Sequence, residues 1–218
     1  MKKENQYSVC LLAAGKGTRT QLDYNKVFYR LNENQTVLDK SVDIFSQDAD
    51  CTQIVLVCAP YEHEKMLSLY SKNEKITIVD GGATRQDSVY NGLKVITNEY
   101  VWIHDGARPY LKKEQMDALK KTLETEEACL LMVPSVDTVK LVEDGYVVKT
   151  WNRSMVYRAQ TPQCFKTSLI RSCHEVAKKE KKIATDDAQL VEWYSSVPIR
   201  VVEGDPGNLK ITNPIDLK

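Results

Sequence analysis

The chain has 218 residues, 42% hydrophobic and 28% charged, with 30 Lys plus Arg balanced by 30 Asp plus Glu. This is ordinary globular composition, long enough for a sizeable core in one domain or two small ones. The zero formal net charge excludes an overall field that would gather nucleic acid or an acidic membrane, so any anion site has to be local.

Lys2 and Lys3 precede the first apolar run, residues 7–14 (YSVCLLAA). That run stops at once in GKGTR, which makes a poor signal peptide and is far too short for a membrane span. It reads as a buried strand. So do residues 53–58 (QIVLVC), 75–79 (KITIV), 100–104 (YVWIH) and 128–133 (ACLLMV), which are β-branched or continuously apolar, as parallel strands covered on both faces should be. Helical patterns lie between them at 36–47, 61–71, 85–97 and 112–125. The β-α-β-α order predicts an α/β, Rossmann-like, mostly parallel sheet with helices on both faces.

Residues 136–157 break the pattern. VDTVKLV and YVVKTW flank Glu143-Asp144-Gly145, and Asp-Gly between β-rich segments signals a hairpin. Strands this polar make a poor core, so the hairpin is expected to project as an arm. Helices at 166–179 and 185–194, the strand PIRVVEG and the segment GNLKIT follow. No repeat, low-complexity stretch or linker is evident, which gives a single domain, 1–218, with an arm. Six cysteines, at 10, 51, 58, 129, 164 and 173, form no CxxC pair. They read as reduced, mostly buried thiols of a cytoplasmic protein. The three histidines show no metal-ligand spacing with them.

In such sheets ligands bind beyond the carboxyl ends of the strands, and the unusual loops follow strands. GKGTRTQLDYNK puts Lys16, Arg19 and Lys26 around two glycines. It lacks the third glycine of the dinucleotide fingerprint and the GK[ST] of a Walker loop. What remains is a turn whose backbone N–H groups can approach phosphates, with Arg19 suited to bidentate contact and Lys26 to a point charge. A solvated basic turn is the other reading of this loop. GGATRQDS, 81–88, opens a helix, whose N-terminus attracts anions, and Ser88 can donate or accept; an ordinary capped glycine turn looks the same. HDGARP, 104–109, sets Asp105 beyond a strand with Arg108 three residues on. The acid suits a metal or a ribose, or pairs structurally with the arginine, and His104 reads as a packed histidine. AQTPQ, 159–163, and Thr185-Asp186-Asp187 read as turns opening helices, with Thr161 and Thr185 as N-caps. Lys210 in GNLKIT either snorkels outward or faces a ligand.

Taken in order, LAAGKGTR, NK, GGATRQDS, HDGARP, VDTVK, R…QTPQ, TDDA and NLKIT resemble the 2-C-methyl-D-erythritol 4-phosphate cytidylyltransferase family over nearly the whole chain. Each motif is weak, and jointly they are specific. The resemblance implies in-line attack of a phosphate oxygen of the second substrate on the α-phosphorus of CTP, with Mg-pyrophosphate leaving. Catalysis then reduces to positioning and charge neutralisation. It makes Arg19 and Lys26 transition-state stabilisers, with Arg153 and Lys210 positioning the methylerythritol phosphate. Ala13, Ala14, Gly15, Gly17, Gly82 and Ser88 fall at nucleotide-binding positions, and Asp105, Arg108, Thr138, Thr161 and Thr185 around the second substrate. Mg²⁺ would be held chiefly by the triphosphate, so no protein metal ligand is expected. A homodimer is implied, with each arm completing its partner's site. The sequence departs from the family pattern at Thr20 (often Met), Asn25 (often Pro), Asn152 (frequently Asp) and Gly207 (often acidic or polar), which bears on substrate preference more than on the reaction. Ribitol-5-phosphate cytidylyltransferases share much of the pattern, although VDTVK and the Arg153-Ser154 pair incline toward the methylerythritol enzyme. A nucleotide sensor without catalysis is the remaining alternative, and the retained cations argue against it.

Overall fold

The structure, a computed structural model, describes residues 6–15, 17 and 20–217. In chain order the elements are β1 (Tyr7–Leu12), the ribbon β2 (Arg30–Asn32) and β3 (Gln35–Thr36), α1 (Val37–Ser46), β4 (Cys51–Cys58), α2 (His63–Tyr70), β5 (Ile76–Asp80), α3 (Arg85–Leu93), β6 (Tyr100–Asp105), α4 (Lys113–Leu123), β7 (Ala128–Pro134), β8 (Lys140–Glu143), β9 (Tyr146–Thr150), β10 (Tyr157–Lys166), α5 (Thr167–Glu180), α6 (Asp187–Tyr194) and β11 (Arg200–Glu203). Seven strands form one sheet in the order β11-β7-β10-β6-β1-β4-β5. All neighbours are parallel except β10, which runs antiparallel to both β6 and β7.

The continuous apolar strands exist because both sheet faces are covered. Val9 and Leu11 point into a core with Leu38 and Phe45 of α1, Met66 of α2 and Leu119 of α4. Their neighbour Cys10, with Val55 and Val57 of β4, points the other way, onto Leu93 of α3, Ile170 of α5 and Leu190 of α6. Each such side chain contributes about 1.5–3 kcal/mol on full burial. No helix among the described residues is long and apolar enough to cross a membrane.

Helix starts follow local chemistry. Thr36 caps α1 and Thr84 caps α3, each in a reciprocal capping box with an aspartate three residues on. Helix α3 ends at Leu93, short of the predicted 97. Gln53 accepts from the Thr97 N–H at 3.0 Å and donates to the Val95 carbonyl at 2.9 Å, which turns that segment out of the helix.

One predicted turn and two predicted N-caps are corrected, while Thr185-Asp186-Asp187 does open a helix, α6. Ala159 to Gln163 does not open a helix: it lies within β10, inserted between β6 and β7, with Thr161-Pro162 cis at the irregularity in the ladder. Proline removes a ladder donor, so it sits where pairing lapses. Thr161 is therefore no N-cap. Nor is Thr185, because Asp186 caps α6 by accepting from the Gln189 N–H at 3.0 Å.

The arm forms as predicted. β8 and β9 pair antiparallel, and Asp144 and Gly145 take φ of 49° and 84°, the left-handed pair that a two-residue hairpin turn requires. Every residue of both strands is exposed.

Candidate active site

The chain runs from β1 outward through β4 to β5, then returns to place β6 on the other side of β1. That reversal opens a crevice at the strands' carboxyl ends. A cavity of about 380 Å³ lies there, a size suited to a small-molecule ligand.

Three strand ends build its walls. Beyond β1 come Ala13, Ala14, Gly15 and Gly17. Gly17 has φ +63°, and a Cβ on it would meet Lys26 backbone N at 3.3 Å. Lys26 is buried and opens a short 3-10 turn, Lys26–Phe28, capped by Asn25. The Asn25 amide donates to the Ala13 carbonyl at 2.8 Å and to Glu62 at 3.0 Å, and its oxygen accepts from Val27 N–H. Hydrogen bonds from Asn25 thus fix the cation against the end of β1.

Beyond β5, the Gly82 N–H donates to Ser88 Oγ at 3.0 Å, and that hydroxyl donates to the Thr84 carbonyl at 2.9 Å. A Cβ on Gly82 would lie 2.3 Å from Asp87 Cβ. Because Asp87 is held in the capping box, only glycine fits.

At the end of β6, Asp105 accepts from Lys210 Nζ at 2.9 Å and lies 3.5 Å from Arg85 Nε and 3.7 Å from Arg108 Nε. Burial alone would raise its pKa, but Arg85, Lys210 and Arg108 hold the carboxyl far below the usual carboxylate range. Arg85 also bonds Asp187 at 2.7 Å, and the Asp187 carboxylate meets His174 Nε2 at 3.2 Å. Asp187 is set by Gln163 of β10, whose carbonyl accepts from the N–H groups of Asp187 and Ala188. Behind Asp105 is the fully buried His104, between Thr161 Oγ and the Arg108 carbonyl. Burial lowers its pKa to about 4, so it is a neutral packing residue at pH 7.

Of the sequence-predicted residues, Ala13, Ala14, Gly15, Gly17, Lys26, Gly82, Ser88, Asp105 and Lys210 line this one cavity. Arg108 and Thr161 stand behind its wall. The Arg108 guanidinium donates to the Asn208 carbonyl, and Thr161 Oγ accepts from the Asp105 N–H at 3.1 Å. Thr185 is exposed just before α6, and Thr138 and Arg153 are exposed on the arm, outside the cavity lining. Lys16 and Arg19 lie outside the described residues. Sequence reasoning missed Arg85 and Asp187. Both stand inside quoted motifs, and the available signal was an arginine directly after the N-cap Thr84. The described lining residues include three cations, Lys26, Arg85 and Lys210, and one carboxylate, Asp105. This is a locally cationic cradle with glycine turns on two sides, matched to a polyanion.

A model of the family described as 2-C-methyl-D-erythritol 4-phosphate cytidylyltransferase matches residues 7–218. A protein of that name from Bacillus velezensis is 39% identical over 216 residues, 97% of this chain and 93% of its own length. Another from Halalkalibacterium halodurans is 39% identical over 216 residues, 97% and 94% of the two chains. Among solved structures, the 4-diphosphocytidyl-2C-methyl-D-erythritol synthase of Anaerococcus prevotii superposes with TM-score 0.86 at 31% identity, covering 99% of this chain and 96% of that one. The 2-C-methyl-D-erythritol 4-phosphate cytidylyltransferase of Francisella tularensis does so with TM-score 0.84 at 32% identity, over 97% and 96%.

Proposed function

The chain belongs to the 2-C-methyl-D-erythritol 4-phosphate cytidylyltransferase family, and on that premise we propose that it transfers the cytidylyl group of CTP to 2-C-methyl-D-erythritol 4-phosphate, releasing pyrophosphate. The observation that carries this reading is the placing of Lys26, Arg85 and Lys210 around one cavity whose other walls are glycine turns. A phosphate oxygen of the acceptor attacks the α-phosphorus of CTP. The bond from that phosphorus to the bridging oxygen breaks, and pyrophosphate leaves with the electron pair. The nucleophile is already an anion, so no proton has to move and no general base is needed. What the protein supplies is alignment and positive charge where negative charge shifts.

Lys26, fixed by Asn25, and Arg19, assigned from its motif, neutralise the phosphates. Asp105 holds Arg85 and Lys210 toward the cavity instead of toward solvent. Ala13, Ala14, Gly15, Gly82 and Ser88 leave a narrow slot with backbone groups that suits a pyrimidine. Mg²⁺ enters with the nucleotide as MgCTP: the one described carboxylate in the lining is already engaged by three cations.

The arm leaves Val142, Tyr146, Val147, Val148, Trp151 and Met155 exposed. Apolar surface of this kind favours a partner, which supports a homodimer in which the neighbour's Thr138 and Arg153 complete the acceptor site. The six cysteines are buried free thiols, consistent with a reducing cytoplasm.

The test is pyrophosphate release with MgCTP and each acceptor in turn. Release with methylerythritol phosphate well above that with ribitol 5-phosphate is expected. The reverse preference would move the substrate to the ribitol class, and no release with either acceptor would leave a nucleotide-binding protein without this chemistry.

A further inference from the structure

A second cluster stands at the same edge of the sheet, outside the cavity lining. Cys58 ends β4, Asp80 ends β5 and His63 opens α2. One ligand atom from each lies within 4.8 Å of the other two. His63 Nδ1 and Asp80 Oδ1 are already 2.6 Å apart. The thiol forms a buried floor, while the His63 and Asp80 side chains are 31% and 55% exposed, so an ion can approach from solvent. Two of the three positions are fixed by the backbone. Cys58 and Asp80 are partners in the β4–β5 ladder, the Cys58 carbonyl accepts from Gly81 N–H at 2.7 Å, and the Asp80 carbonyl accepts from the Asn91 amide at 3.2 Å.

We propose that Cys58, His63 and Asp80 bind a thiophilic divalent cation, zinc foremost, in a tetrahedral site with water as the fourth ligand. Thiolate, imidazole and carboxylate together are a zinc donor set, whereas magnesium and calcium require oxygen donors. Metal–ligand bonds of about 2.0–2.3 Å place tetrahedral ligand atoms roughly 3.3–3.7 Å apart. Side-chain rotations of about an ångström therefore close the cysteine side and open the histidine–aspartate side. The Cys58 thiol gives its proton to solvent as the sulfur–metal bond forms, and the metal takes the place of the hydrogen bond between His63 and Asp80. The ion ties the end of β5 to the end of β4 and to α2. Because Asp80 runs directly into Gly81 and Gly82, it pins the glycine turn that lines the cavity. The proposal stands apart from the cytidylyl-transfer reading, since none of the three side chains lines that cavity.

The test adds Co²⁺ to the full-length, chelator-treated, reduced protein. A thiolate-to-cobalt charge-transfer band is expected, displaced by stoichiometric zinc and untouched by magnesium. Cys58→Ser should abolish the band while far-UV circular dichroism is unchanged. His63→Ala and Asp80→Asn should each weaken zinc binding by at least about 10–100-fold, the scale of disturbing even a supporting residue of a metal site. Zinc at about a hundred times its Kd should raise the wild-type Tm by about 5–10 °C and leave that of Cys58→Ser in place. Should Cys58→Ser fail to fold, His63→Ala, at a partly exposed position, carries the decision. Absence of a thiolate band, a band surviving in Cys58→Ser, or zinc affinity indifferent to His63→Ala and Asp80→Asn overturns the site.

Discussion

Asp187→Asn is the sharpest probe of how the cavity holds its charges. Asp187 is 1% exposed, with Arg85 Nη1 2.7 Å from one oxygen and His174 Nε2 3.2 Å from the other. The substitution keeps the shape and removes the charge. Two unit charges about 4 Å apart attract by about 4 kcal/mol at an effective dielectric near 20, and breaking a fully buried pair costs about 3–5 kcal/mol. Arg85 is 33% exposed and keeps Asp105 at 3.5 Å, so water and the second carboxylate recover part of this. The expected loss is about 2–3 kcal/mol of unfolding free energy, or a Tm lower by about 4–12 °C for a chain of this size. At the site, Arg85 should swing fully onto Asp105 and compete with Lys210, raising KM for CTP more than it lowers kcat. The assay is urea unfolding of a double-mutant cycle with Arg85→Met, with pyrophosphate release on the folded variants. A coupling of about 2 kcal/mol is expected. A coupling under about 0.5 kcal/mol, the scatter for independent sites, would refute the claim that Asp187 anchors Arg85.

Three further outcomes follow. His104 has a folded pKa lowered to about 4 by burial against about 6.5 unfolded, so the unfolded chain takes up its proton first as pH falls. Stability should therefore be full above pH 6.5 and decline by about 3 kcal/mol down to pH 4, and His104→Gln should flatten that slope in urea unfolding at stepped pH; an unchanged slope would show that other groups cause it. Gly82→Ala places a methyl 2.3 Å from Asp87 Cβ, which should cost about 1–3 kcal/mol and raise KM for CTP; wild-type KM in this variant would mean the turn does not carry the nucleotide. Mixing inactive Lys26→Ala and Arg153→Ala proteins under subunit exchange should restore about a quarter of wild-type activity, because in a two-fold dimer with crossed arms each heterodimer has one intact site; verified exchange without recovery would reject the shared site.

Elements whose causes are local could be read from the chain alone. Continuous apolar runs marked β1, β4, β6 and β7, because a strand covered on both faces shows its burial in every residue. Helical patterns at 36–47 and 85–97 marked α1 and α3, and Asp144-Gly145 fixed the hairpin through its two left-handed residues. Glycines and charged residues in loops after strands marked Lys26, Gly82, Asp105 and Lys210, which line one cavity, since ligands of such sheets bind beyond the carboxyl ends of the strands. The remaining features arise from contacts between distant segments. β10 was illegible because Gln160, Pro162 and Gln163 have little strand propensity, and the conformation of this stretch comes from insertion between β6 and β7. From there the Gln163 side-chain oxygen accepts from the Asp187 and Ala188 N–H groups and sets Asp187, which in turn anchors Arg85, 102 residues away in sequence. Likewise Cys58, His63 and Asp80 have no ligand spacing along the chain, because three separate elements bring them to one sheet edge. A contact between distant segments leaves no periodic trace in either of them, so only the folded sheet shows which charges share a site.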